Sequence, residues 1–253
     1  MNYTQRRGTT KAKVSVPAFN QAKELFLLEV FDVVAMNEIP IHLIFNWDQT
    51  GLNLVPVSSW TMTSKESKCV EIQSLADKRQ ITCVFCGTLL AEFLPPQLIY
   101  SGKRDRCLPT FKFPEDWLIS HTQSQWSNKS TMISYIEEVI VPFLEKKREQ
   151  INVDQDQSTL AIFDCFKGQL TEKVCQYLEE NDIHSVLIPP NCTDRLQPLD
   201  ISVNKAVKDF LHTEFQNWYA NEVAKQYLES DNDQDTAPID LSTARMKFHG
   251  VNG

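Results

Sequence analysis

The pattern of apolar residues changes partway along the chain, and this change limits the folds that it can adopt. After one predicted helix, the first part holds short apolar runs rich in β-branched and aromatic residues, at 42–47, 54–60, 79–87 and 92–100. From residue 159 onward, short apolar runs alternate with segments of helical spacing. Consecutive extended runs predict an antiparallel meander, whereas strand–helix alternation predicts parallel strands joined by right-handed crossovers. We therefore predict an α/β fold in which a mixed sheet is flanked by helices.

Apolar residues recur at helical spacing in four segments, at 18–36, 130–149, 171–181 and about 200–228. The strands of the second half are predicted at 159–163 and 185–188. Pro142 is expected to kink the second helix or to mark a boundary, because proline has no N–H to donate. We interpret 49–51 as a turn, and 101–128 as irregular structure packed by Trp117 and Trp126. The buried stripe of the last helix is predicted to be apolar: Val203, Val207, Phe210, Leu211 and Phe215.

Length, charge and cysteine content narrow the class of protein. The 253 residues suit one domain with appendages, which we place at 1–17 (a flexible basic arm), 18–228 (the folded domain) and 229–253 (an acidic, disordered tail). A net charge of −8 argues against a basic face that coats nucleic acid, although 25 Lys and Arg allow a local basic channel. Seven scattered cysteines favour reduced thiols. No apolar run approaches the roughly 20 residues that span a bilayer, so we predict no membrane partner.

Three aspartates follow apolar runs at the point where each run breaks into turn-like sequence. They are Asp48, Asp164 and Asp200. The order of elements can bring the first strand beside the strand at 159–163, and a helix that begins at Asp200 can reach the same sheet edge. Three converging carboxylates would offer the oxygen ligands that hard divalent cations prefer. The ordinary alternative is that each aspartate forms a turn, or that Asp200 caps its helix.

The segments that carry these aspartates resemble a known family. NWDQTG (46–51), FDCFKG (163–168) and IPPNCTDRLQPLD (188–200) are similar to motifs of the catalytic domain of DDE transposases of the pogo/Tigger group. That group includes jerky-like proteins and centromere protein B. The resemblance extends from the basic arm to about Lys247, and its third acid is Asp. The ending from Phe248 departs from the family and is interpreted as a truncation or an altered reading frame.

The resemblance implies a ribonuclease H-like fold and a catalytic site made of Asp48, Asp164 and Asp200. These residues would bind two Mg²⁺ or Mn²⁺ ions, with Asp48 bridging them. Two such ions neutralise charge on a phosphodiester, activate the attacking oxygen and stabilise the leaving oxygen. The implied reaction is hydrolysis at a transposon end followed by attack of the 3′-hydroxyl on target DNA. No small-molecule cofactor is expected.

Three basic residues are candidates for contacts with DNA phosphates. Lys167 and Lys205 lie close in sequence to two of the aspartates, and Arg195 lies five residues before Asp200. Solvated surface lysines are the alternative for the first two. Arg195 could instead orient a carboxylate.

Two classes of function remain open at this stage. The first is a nuclear, Mg²⁺-dependent DNA endonuclease or strand-transfer core, for which the resemblance implies a homodimer. The second is a domesticated or truncated nuclear module that binds nucleic acid or other partners without catalysis. Family members carry N-terminal helix-turn-helix domains, and we expect none before residue 18. Binding to DNA would then be weak and sensitive to salt.

Overall fold

The structure, a computed structural model, describes residues 14–55, 79–164 and 171–229. Most of the predicted basic arm and acidic tail lies outside these residues, as does Lys167. The extended piece predicted at 54–60 is described only as far as residue 55. Those expectations therefore stay predictions.

A six-stranded mixed sheet forms the centre of the fold, in the order β4-β3-β2-β1-β5-β6. The strands are β1 (Ile44–Asn53), β2 (Gln80–Thr88), β3 (Gln97–Ser101), β4 (Leu118–Thr122), β5 (Thr159–Asp164) and β6 (Ile183–Ile188). Strands β1, β2 and β3 pair antiparallel, whereas β3–β4, β1–β5 and β5–β6 pair parallel. The predicted mixed sheet is confirmed, including the placement of the first strand beside the first strand of the βαβ half.

The helices agree with the four predicted segments. The segment predicted at 130–149 contains two helices, and one short helix at Thr193–Leu196 was not predicted. The helices are α1 (Val16–Met36), α2 (Lys129–Tyr135), α3 (Val141–Ile151), α4 (Glu172–Glu179), α5 (Thr193–Leu196) and α6 (Pro198–Glu229). A π-helical turn at Ile136–Ile140 joins α2 to α3, and Pro142 follows it as the second residue of α3. A wider turn is one way in which a helix accommodates the N–H that proline lacks. In the part of the chain that the structure describes, no helix is long and apolar enough to cross a membrane.

The turn predicted at 49–51 is wrong, because β1 continues through it to Asn53. Antiparallel pairing with β2 places Asp48 opposite Phe85 and Gly51 opposite Thr82. The backbone groups of these residues are satisfied by the ladder, and this pairing overrides the turn-like composition of Gln-Thr-Gly. Asp48 therefore lies within a strand and not at its end.

The irregular structure predicted for 101–128 is also wrong in part. Leu118–Thr122 forms β4 at the edge of the sheet, in parallel register with β3. Trp117 and Trp126 do not anchor this region in the core, since they are 36% and 54% exposed. Trp117 instead packs on Phe113, with ring centroids 6.0 Å apart.

Candidate active site

Two of the predicted catalytic aspartates lie on neighbouring parallel strands. The register of β1 with β5 pairs Ile44 with Leu160 and continues to Asn46 opposite Ile162. One residue further along, Trp47 and Phe163 stack with ring centroids 4.4 Å apart, which shows that the alignment continues past the hydrogen-bonded ladder. Because side chains alternate across a strand, the residues that follow each ring, Asp48 and Asp164, lie on the opposite face at matched positions.

Asp200 is joined to Asp48 through the amide of Asn204. The Asn204 Nδ2 donates to Asp48 Oδ2 at 2.5 Å and to Asp200 Oδ1 at 2.8 Å. Asp200 and Asn204 are four residues apart in α6, so they lie on the same face of the helix. Asn204 is only 2% exposed. The first turns of α6 therefore place an amide and a carboxylate directly over β1.

A buried amide pair holds the start of α6 against the sheet. Asn46 Nδ2 donates to Ile162 O at 2.7 Å and to Gln197 Oε1 at 2.6 Å. Gln197 Nε2 in turn donates to Trp47 O at 3.1 Å. Gln197 is fully buried and directly precedes α6. The position of Asp200 relative to β1 is thus set by hydrogen bonds within three residues of it.

Asp164 has a different partner from the other two aspartates. Thr193 Oγ1 at the start of α5 donates to Asp164 Oδ2 at 3.2 Å. Among residues 14–55, 79–164 and 171–229, no group of three or more His, Cys, Asp or Glu side chains is arranged to hold a metal ion as it stands. The structure links Asp48 to Asp200 through Asn204, and it places Asp164 on the neighbouring strand.

The electrostatics of Asp48 suit a cation. Burial of Asp48, followed by the charge of Asp200, raises the pKa of Asp48 from 3.8 to about 6, against the lowering effect of hydrogen bonds from Gln49, Asn204 and Gln197. A bound cation would offset both causes of this shift, because it favours the ionised form. Asn46 Oδ1 and Asn204 Oδ1 are also buried without a hydrogen-bond partner. The site therefore offers oxygen donors of the kind that Mg²⁺ or Mn²⁺ prefers.

The raised pKa of Asp48 predicts how the stability of the metal-free protein depends on pH. The folded protein binds the Asp48 proton more tightly than the unfolded chain, so this contribution to stability is present below pH 3.8 and is lost as the pH rises through about 6. Asp48→Asn removes the titration and keeps the shape. In EDTA we expect the variant to match wild type near pH 4 and to be more stable at pH 7.5, by up to about 3 kcal/mol.

Urea unfolding of both proteins at the two pH values measures this difference. Titrating groups that do not interact with Asp48 are common to the two proteins and cancel in the comparison. An equal difference at both pH values would show that the Asp48 carboxylate does not titrate in this interval.

The basic residues predicted to contact DNA differ in their surroundings. The Arg195 guanidinium lies over the Phe19 ring of α1, 4.5 Å from its centroid, and its Nε is 3.9 Å from Asp194 Oδ2. Arg195 therefore has a packing role between α5 and α1. Lys205 is exposed on α6, next to Asn204. Contacts of Arg195, Lys205 and Lys167 with DNA stay predictions.

Three residues of the site were not singled out in the sequence. Thr193, Gln197 and Asn204 contact the predicted acids or the strand that carries Asp48. The spacing of Asn204 from Asp200, four residues in a predicted helix, was the available signal for one of them. The other two lie between the strand predicted at 185–188 and the helix predicted from about 200, where the sequence predicts no helix or strand.

The sheet and its carboxylates define the class of protein: the domain has a ribonuclease H-like fold with acidic residues on the adjacent strands β1 and β5 and on helix α6. The sequence profile described as "DDE superfamily endonuclease" matches residues 78–239, more than half of the chain. The chain belongs to this family. The match includes Asp164 and Asp200, whereas Asp48 lies before its first residue.

Two human proteins illustrate the relationship to pogo elements. "Pogo transposable element with KRAB domain" from Homo sapiens is 26% identical over 174 residues, which are 68% of this chain and 27% of that protein. "Pogo transposable element with ZNF domain", also from Homo sapiens, is 22% identical over 212 residues, 82% of this chain and 14% of that protein. The chain thus spans about a quarter or less of the length of these two relatives.

Solved structures of the Mos1 transposase share the fold. The pre-cleavage Mos1 transpososome matches with a TM-score of 0.53 at 10% identity, over 87% of this chain and 59% of that chain. The Mos1 mariner paired-end complex with Mn matches with a TM-score of 0.50 at 11% identity, over 86% of this chain and 60% of that chain. At these identities the likeness concerns the fold alone.

Proposed function

We propose that this chain is the catalytic core of a transposase-type endonuclease that cleaves and transfers DNA strands with the help of divalent cations. The observation that carries the proposal is the joining of Asp48 to Asp200 through Asn204, with Asp164 at the matched position of the adjacent strand. Membership of the DDE superfamily endonuclease family supports the same chemistry. The structure of the Mos1 mariner paired-end complex with Mn is consistent with it.

Asp48, Asp164 and Asp200 would hold the cations, which we expect to be two Mg²⁺ or Mn²⁺ ions. The ions would supply charge neutralisation at the scissile phosphodiester and would lower the pKa of an attacking water. The chain itself supplies the positions of the ligands. β1 and β5 fix Asp48 and Asp164 through the sheet, and Gln197 ties the start of α6 to β1. Burial of Asp48 keeps water away from one side of the site.

The remaining parts of the proposal concern partners and location. We propose double-stranded DNA as the substrate, a homodimer as the acting form and the nucleus as the compartment. Lys205 and Lys167 are the candidate phosphate contacts, since both are close in sequence to a catalytic aspartate. No small-molecule cofactor is part of the proposal.

The test is nicking of supercoiled DNA in Mn²⁺ by wild type and three alanine variants, at Asp48, Asp164 and Asp200. We expect each substitution to lower the nicking rate by roughly 10³-fold, because a lost metal ligand removes several kcal/mol of transition-state stabilisation. Asp209→Ala is the matched control. Asp209 is an exposed aspartate of α6, nine residues beyond Asp200, and the rate of this variant is expected to stay within about twofold of wild type.

A wild-type rate no higher than that of the three variants would contradict catalysis. The chain would then fit the second class, a nucleic-acid-binding or interaction module derived from a transposase. Equal loss in Asp209→Ala would show that the variants act through folding and not through the site.

A further inference from the structure

The Asn204 amide lies between the buried carboxylate of Asp48 and the half-buried carboxylate of Asp200. Asp48 is 9% exposed, and its neighbour Asp200 acts on it with a like charge. Two carboxylates in this position repel each other unless a donor or a cation lies between them. Among the contacts described for this pair, the only group that touches both carboxylates is the Asn204 amide.

The orientation of this amide is fixed by its neighbours. Its nitrogen faces Asp48 Oδ2 at 2.5 Å and Asp200 Oδ1 at 2.8 Å. The reverse orientation would set an amide oxygen against two carboxylate oxygens, with no hydrogen between them. Asn204 Oδ1 is buried without a hydrogen-bond partner. The side chain is thus held through its nitrogen alone, and both N–H groups are used on the acids.

The amide nitrogen also occupies the space that a cation would need. Mg²⁺ binds carboxylate oxygens at about 2.0–2.1 Å, so an ion bridging Asp48 Oδ2 and Asp200 Oδ1 would lie between the two oxygens. The Asn204 nitrogen is already between them, within hydrogen-bond distance of each. Both groups cannot lie there at once.

We propose that Asn204 is a positioning residue that keeps Asp48 and Asp200 assembled in the cation-free protein, and that a bridging cation displaces its amide nitrogen. The proposal rests on the proposed function, because that function gives the cation its role. Asn204 then acts through the two acids and does not touch the reacting phosphate. It keeps the metal-free site close to the geometry in which the cation is received.

The first readout is a double-mutant cycle in EDTA, with melting temperatures of wild type, Asn204→Ala, Asp48→Asn and the double variant. Loss of the donor shared by the buried Asp48 and the half-buried Asp200 is expected to lower the Tm of the wild-type background by about 5–10 °C. In the Asp48→Asn background, where the repulsion is already removed, the loss is expected to be less than half as large. A residue with a merely structural role would cause equal losses in the two backgrounds, and that result would overturn the proposal.

The second readout is Mn²⁺ affinity, measured by loss of the free-ion signal in electron paramagnetic resonance. Asn204→Ala lacks the nitrogen that competes with the ion, so its Kd for Mn²⁺ is expected to be about tenfold lower than that of wild type. Unchanged or weaker binding by the variant would overturn the displacement. If Asn204→Ala does not fold in EDTA, it is expected to fold on addition of Mn²⁺, and failure to do so would also overturn the proposal.

Asn181→Ala is the matched control. Asn181 Nδ2 donates to Tyr177 O at 2.8 Å at the end of α4, so this variant loses an asparagine hydrogen bond that involves no carboxylate. Its effect on Tm should be equal in both Asp48 backgrounds, and its Mn²⁺ affinity should equal that of wild type. A wild type that binds no Mn²⁺ would contradict the proposed function together with the displacement. Mn²⁺ binding that Asn204→Ala leaves unchanged would contradict the displacement alone.

Discussion

Asp48→Asn is expected to abolish Mn²⁺-dependent nicking of supercoiled DNA while the fold stays intact. Asparagine keeps the size of the side chain and can accept the Asn204 hydrogen bond through its amide oxygen. It loses the charge that a hard cation requires, and several kcal/mol of transition-state stabilisation would be lost with it, a decrease of roughly 10³-fold in rate. Nicking rates across a Mn²⁺ titration, with circular dichroism of the same samples, measure both parts of the expectation.

The same substitution separates catalysis from stability. Because burial and Asp200 raise the pKa of Asp48 to about 6, the ionised side chain destabilises the metal-free fold at pH 7.5. An inactive variant that is at least as stable as wild type would therefore support a functional role for the charge. An active Asp48→Asn enzyme would contradict the assignment, and an inactive variant that is also unfolded would not support it.

Trp47→Ala is expected to have the largest effect on stability. Trp47 is 4% exposed and stacks on Phe163, so the two rings join β1 to β5 beside the positions of Asp48 and Asp164. Truncating a buried tryptophan removes this contact and leaves a cavity, which costs about 3–5 kcal/mol of the free energy of unfolding. This loss corresponds to a fall in Tm of roughly 10 °C in a domain of this size. Differential scanning calorimetry in EDTA measures it.

Trp126→Ala is the matched control for this loss. Trp126 is 54% exposed, and the hydrogen bond that it accepts from Thr122 Oγ1 goes to its backbone oxygen, which the substitution keeps. Its loss is expected to be below about 1 kcal/mol. Similar Tm values for the two variants would contradict the packing of Trp47 between the strands.

The mixed sheet and the place of β1 beside β5 could be predicted from the sequence because the order of elements allows this arrangement. A meander followed by right-handed crossovers allows the strand that contains Phe163 to lie beside the strand that contains Trp47, and the structure pairs these two strands. Because side chains alternate along each strand, Asp48 and Asp164 then lie on the same face of the sheet. This part of the site depends on element order alone and did not require knowledge of side-chain contacts.

The parts that could not be predicted depend on pairing and on polar contacts. Gln49-Thr50-Gly51 has the composition of a turn, and only the partner strand β2 makes it extended. The stripe expected to be buried along α6 was apolar, yet Phe210 is 63% exposed and Asn204 is 2% exposed. Asn204 is more deeply buried than Phe210 because the carboxylates of Asp48 and Asp200 accept its hydrogen bonds. These contacts are tertiary, and the pattern of apolar residues does not indicate them.

The position of bound Mn²⁺ tests the central claim most directly. A crystal structure of the protein with Mn²⁺, with anomalous difference density to locate the ions, is expected to show two ions about 3.5–4 Å apart, both touching Asp48. Asp164 would bind one ion and would exchange its hydrogen bond from Thr193 for that contact, while Asp200 would bind the other. A fully occupied ion elsewhere, or no ion at saturating Mn²⁺ with Asn204 still between Asp48 and Asp200, would contradict the account.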